Sequence, residues 1–152
     1  MSSKPLNIFI SYSHKDEPMK AELEKFLITL KRNKTICVWQ DRELLPGIEY
    51  KKEILDELHN ADIILLLISQ DFIASDFIYD IELKHAMERH EQGTARVIPI
   101  ILRVCDWQNL SFGKLVALPT DGNPVVTFEN RDEAYTKISR QIMRAVNMMQ
   151  GL

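Results

Sequence analysis

Four groups of residues in the 152-residue chain have types and spacings that could do chemistry. Ser11, Tyr12, Ser13 and His14 place hydroxyls and an imidazole directly after an apolar run. Ser69, Gln70 and Asp71 follow a second, stronger apolar run. The segment from Gln40 to Gly47 (QDRELLPG) carries Asp41, Arg42 and Glu43 and then an apolar tip, Leu44-Leu45-Pro46. Glu82 lies in a helical pattern, one turn after Ile78 and one turn before His85 and Ala86. Hydroxyls and an imidazole can bind and orient a polar ligand, and a charged loop can cover it. A carboxylate beside an apolar neighbour has a raised pKa and a concentrated field, suited to stabilising positive charge in a transition state.

Other chemistries are set aside. No G-x-G-x-x-G follows a strand, and Gly113-Lys114 lacks the earlier glycine of a phosphate loop and is followed by Leu115. His85 and His90 are five apart and would not share a helix face as a zinc helix requires, so no metal site is expected. A serine-hydrolase elbow is missing. A phosphoryl-accepting receiver would need an acidic pair after the first strand and an aspartate ending the third; the chain offers Ser-Tyr-Ser-His and Ser69. Cys37 and Cys105 form no C-x-x-C pair and read as small apolar fillers in a reduced, cytoplasmic setting. The net charge of −3 gives no push toward nucleic acid. The longest apolar run, Ile63 to Ile68, is too short to span a bilayer, and the N-terminus does not read as a signal peptide, so no membrane partner is expected.

Strand and helix patterns alternate around these groups. Strands are expected at Leu6 to Tyr12, Thr35 to Trp39, Asp62 to Ile68, Arg96 to Leu102 and Pro124 to Phe128. Pro99 argues for an edge position or a bulge in the fourth. Met19, Leu23, Phe26, Leu27 and Leu30 repeat at helical spacing after Pro18. Further helices are expected from about Glu49 to His59, from about Ser75 (as N-cap) to His90, and around Tyr135, Ile138, Ile142, Val146 and Met149. The whole chain, 1–152, reads as a single α/β domain. The expected fold is a flavodoxin-like three-layer sandwich whose five parallel strands run in the order 2-1-3-4-5. Strands one and three would then meet at a switch point, where ligands bind beyond the carboxyl ends.

Phe9-Ile10-Ser11-Tyr12-Ser13 resembles the first signature box of Toll/interleukin-1 receptor (TIR) domains. Trp39 to Gly47 is similar to their second box, and Ile68 to Ser75 followed by Tyr79-Asp80-Ile81-Glu82-Leu83 resembles their third-strand exit and following helix. The resemblance runs from about Leu6 to Met149, and the later wording is nearer to bacterial members than to animal receptors.

That resemblance implies one of two functions. Some members are scaffolds that assemble with other TIR domains. Others cleave the nicotinamide–ribose bond of NAD⁺, in immune-type signalling (antiviral defence among it) or NAD⁺ depletion, giving nicotinamide and ADP-ribose or a cyclic isomer. In the enzymes a glutamate on the helix after strand three is essential, and by motif match it is Glu82. NAD⁺ is then substrate rather than cofactor. Nicotinamide leaves neutral, so one carboxylate suffices where glycosidases usually need two. Substrate-binding residues implied are Ser11, Tyr12, Ser13, His14, Asp41, Arg42, Leu45, Gly47, Tyr50, Ser69 and Ile78. Many family enzymes have tryptophan where this chain has Ile78, a departure that bears on hydrolysis against cyclisation. The segment Leu44, Leu45, Pro46 and Gly47 is the expected surface for homotypic association, which would switch activity on.

Overall fold

In the structure, a computed structural model, the described residues are 4–39, 47, 50–76, 78–119 and 122–151. Strand β3 (Ile63–Ile68, IILLLI) sits at the centre, with all six side chains buried. Its continuous apolar run has no polar face because helices cover both sides, as a central parallel strand requires. β1 (Leu6–Ser11) and β4 (Arg96–Ile101) flank it, and β2 (Ile36–Val38) pairs with β1. All pairings are parallel, in the order β2-β1-β3-β4.

The expected order holds for four strands, and the fifth is a correction. Residues Val125–Thr127 form a 3₁₀ turn. Pro124 has no N–H to give to a ladder, and the Thr127 hydroxyl donates to the Pro124 carbonyl at 2.7 Å, closing the turn. Leu118 partly takes the strand's place, donating to the Pro99 carbonyl and accepting from the Ile101 N–H, each at 2.9 Å. Pro99 therefore faces the outer side of β4, where no ladder donor is missed, in line with the edge placement.

Strand alternation divides the core in two. Ile8, Ile10, Ile63, Leu65 and Leu67 pack under α1 (Glu17–Arg32) and α5 (Arg131–Met149), against Leu23, Leu27, Tyr135 and Ile142. Phe9, Ile64, Leu66 and Ile68 pack on the other side against Ile54 and Leu58 of α2 (Tyr50–Asn60) and against Phe72, Ile78 and Leu83.

The helix expected from Ser75 to His90 is preceded by a separate short helix and is itself wound in two ways. Ser69 caps a short helix, α3 (Gln70–Ala74), its hydroxyl accepting the Phe72 N–H at 3.1 Å. Ser75 accepts the Ile78 N–H at 3.4 Å, as the cap assignment requires. Residues Ile78–Glu82 then take the wider π-helical winding before α4 (Leu83–Glu91). No described helix is long and apolar enough to cross a membrane.

Candidate functional site

A cleft of about 410 Å³ opens at the carboxyl ends of β1 and β2. That volume lies within the range of small-molecule sites, about 300–1,000 Å³. β1 contributes Phe9 and Ile10, and the turn after it contributes Tyr12, Ser13, His14 and Lys15. Lys20 comes from α1, Trp39 from the end of β2 and Ile54 from α2. Ser75, Ile78 and Glu82 line the remaining side.

Glu82 is the last residue of the π segment and is 6% exposed. Residues four apart stay on nearly one face in this winding, so Ile78 reaches the cleft with it. Single π turns of this kind occur often at functional sites. Trp39 lies flat on Phe9, with ring centroids 5.6 Å apart and planes 9° from parallel. The two rings offer an apolar, planar surface suited to stacking. The Lys20 ammonium sits 4.9 Å over the Tyr12 ring and 3.0 Å from Glu24, and is only 4% exposed. His14 and Lys15 are exposed at the mouth, and the His14 ring meets Tyr12 edge-on at 6.2 Å.

Of the residues singled out from sequence, Tyr12, Ser13, His14, Ile78 and Glu82 are thus brought together. Ser69 is not among those lining the cleft. It is fully buried, and its hydroxyl caps α3 and donates to Asp16. Ser11 is 1% exposed, does not line the cleft, and its hydroxyl finds no hydrogen-bond partner among the described residues. Gly47 is an exposed turn residue with φ of +87°, the left-handed region glycine adopts without strain, and it too is absent from the lining. Tyr50 opens α2, but its side chain falls outside the described residues, as do Asp41, Arg42, Leu44, Leu45 and Pro46 entirely.

The centre of the expected switch point, between the β1 and β3 exits, is occupied by an ionic cluster. Asp16 is 2% exposed. Its carboxylate accepts the Ser69 hydroxyl and, at 3.0 Å, the Arg103 Nε–H. Arg103 Nη2 lies 2.9 Å from the same carboxylate and also donates to Asp71. Hydrogen bonding to Asp71, with the Asp16 charge, holds the Arg103 pKa above its ordinary value against the opposing effect of burial. The ligand space is displaced toward β2 and α2, which is why Lys15, Lys20, Trp39, Ile54 and Ser75 escaped the sequence reading. One signal was available for Trp39: it ends a strand beside β1, at the same edge of the sheet as Tyr12.

Comparison with known proteins places these features in context. The family model described as TIR domain matches residues 8–142. The chain is 49% identical over 139 residues to the uncharacterised protein y4lF of Sinorhizobium fredii, covering 91% of this chain and 43% of that one. It thus spans less than half the length of that relative. The solved TIR domain of the Toll-related receptor TRR-2 from Hydra magnipapillata superposes with a TM-score of 0.65, covering 92% of this chain and 97% of that one. At 19% identity, that likeness is one of fold.

Proposed function

Because the chain belongs to the TIR-domain family, of signalling and NAD⁺-cleaving domains, we propose that it is an NAD⁺ glycohydrolase with Glu82 as its catalytic carboxylate. The observation that carries this reading is a nearly buried Glu82 on a π turn, sharing a cleft with the Trp39–Phe9 stack and with Lys15. The nicotinamide–ribose bond breaks with its electron pair going to the ring nitrogen, so nicotinamide leaves neutral. Positive charge develops on the ribose, and the Glu82 carboxylate stabilises it electrostatically. Water adds to the ribose carbon and loses its proton to solvent, leaving ADP-ribose. Capture by a group of the same molecule would give a cyclic isomer instead. Trp39 supplies from the β2 side the aromatic surface that Ile78 does not supply beside Glu82. Lys15 and His14 suit the pyrophosphate.

The test is incubation of concentrated protein with NAD⁺ and chromatographic separation of the products. Glu82→Gln should fold normally and lose on the order of 10²–10³ in rate. Unchanged NAD⁺ consumption by a well-folded Glu82→Gln protein would sink the assignment. A wild-type protein that assembles but never consumes NAD⁺ would instead be an interaction module.

TIR domains commonly associate homotypically, and the proposal includes that step. The apolar tip Leu44-Leu45-Pro46 within a charged segment supports it. Activity per molecule should rise with protein concentration, and Leu45→Asp should flatten that rise. A concentration-independent rate in the wild type removes assembly from the reading.

A further inference from the structure

We propose that Arg103 is a positioning residue, holding the turn after β1 in the shape that receives the pyrophosphate of the dinucleotide. The inference rests on the nucleotide reading above and extends it to a residue outside the cleft.

On the nucleotide reading, the turn Ser13 to Asp16 carries the groups that would face the phosphates, His14 and Lys15, and both are exposed at the cleft. Its shape is fixed from within and from below. The Asp16 N–H donates to the Ser13 carbonyl at 2.8 Å, and the Lys15 N–H donates to the Ser13 hydroxyl at 3.2 Å. The Asp16 side chain makes no capping bond to α1, although it stands at that helix's N-cap. It is directed instead to Ser69 and Arg103. A carboxylate this deeply buried is tolerated only while charge-assisted donors satisfy it. The planar guanidinium does so from the loop after β4, with Nε and Nη2 both on Asp16 and Nη2 also on Asp71 in the first turn of α3. One side chain therefore ties the exits of β1, β3 and β4 together. Lysine, a point charge without the fork, could pair with Asp16 but not fix the same geometry. Without Arg103, Asp16 would turn toward water and take His14 and Lys15 out of register with the cleft.

The experiment measures ADP-ribose binding by titration calorimetry and steady-state NAD⁺ kinetics, on the whole chain. ADP-ribose carries the pyrophosphate and lacks the bond that is cleaved. Arg103→Met should weaken ADP-ribose binding and raise KM for NAD⁺, each by about tenfold or more, with kcat within about twofold of wild type. Arg103→Lys should restore part of the affinity. Glu82→Gln should still bind ADP-ribose. Should Arg103→Met fail to fold because it strands the Asp16 charge, Asp16→Asn combined with Arg103→Met removes both charges and should fold with the same loss of affinity. Wild-type affinity in a folded variant without Arg103, or a fall in kcat at constant KM, would overturn the proposal, as would a wild type that fails to bind ADP-ribose. A wild type that binds ADP-ribose but leaves NAD⁺ intact would overturn the glycohydrolase reading alone, and the calorimetry would still decide the role of Arg103.

Discussion

At the scale of single residues, the same side-chain types do different work according to what meets them. Ser69 and Ser13 both follow strands in the sequence, but Ser69 spends its hydroxyl on Asp16 and on the Phe72 N–H. Ser69→Ala should therefore lower stability by about 1–3 kcal/mol, because two buried partners lose a hydrogen bond. A thermal melt equal to that of wild type would contradict this structural role. The cysteines divide in a similar way. Both read as fillers from sequence, yet Cys37 is exposed on edge strand β2. Cys105 is half-buried, and burial pushes its thiol pKa up against the opposing charge of Arg103. A thiol-specific alkylating reagent near neutral pH should label Cys37 first, since the thiolate is the reacting form and access limits it. Mass mapping that finds Cys105 modified first would reverse the assignment. The place of Glu82 at the cleft was legible because its motif is local. The Asp16–Ser69–Arg103 cluster was not, because its members lie 53 and 87 residues from Asp16 along the chain.

Elements show the same division between local and long-range information. β3 declared itself by a continuous apolar run, which only a strand covered on both faces needs. Leu65 is completely buried between β1 and β4, paired with Ile10 and Ile98. Leu65→Ala should destabilise by about 2–5 kcal/mol, read from a denaturant titration. A midpoint unchanged from wild type would displace β3 from the centre. The segment from Pro124 to Phe128 has strand-forming residue types but no strand, because a proline at its start and a threonine that closes on it favour a turn. Nor does periodicity reveal the π winding at Ile78–Glu82, since it differs from an α-helix by little in the spacing of apolar residues. The fold class was thus readable from composition and order, while the element carrying Glu82 was readable in place but not in geometry.

At the scale of the whole molecule, the π segment and the titrating phenol lie on opposite faces of the sheet, while the cleft draws residues from both. The π segment and α2 border the cleft on one side. On the other, Tyr135 of α5 is 1% exposed and stacks on Phe26 of α1 with ring centroids 5.4 Å apart. Burial first, and the Glu22 charge second, raise the Tyr135 phenol well above its ordinary pKa, with Arg131 opposing. The consequence for stability has a definite sign. Below about pH 10, the ordinary phenol value, Tyr135 is neutral in the folded and unfolded chains, and folding gains or loses nothing from its titration. As pH rises beyond that value the unfolded chain releases the proton while the folded chain retains it, so the unfolded state is favoured increasingly. Tyr135→Phe keeps the ring contact with Phe26 and removes the titrating group. Wild type should therefore lose melting temperature more steeply than Tyr135→Phe between pH 9 and pH 11, with the two curves running parallel below that range. Lysines and other alkaline groups titrate alike in both proteins and cancel in the difference. Parallel curves throughout would show that the phenol is not held neutral between α1 and α5, and would place the alkaline sensitivity of the fold elsewhere.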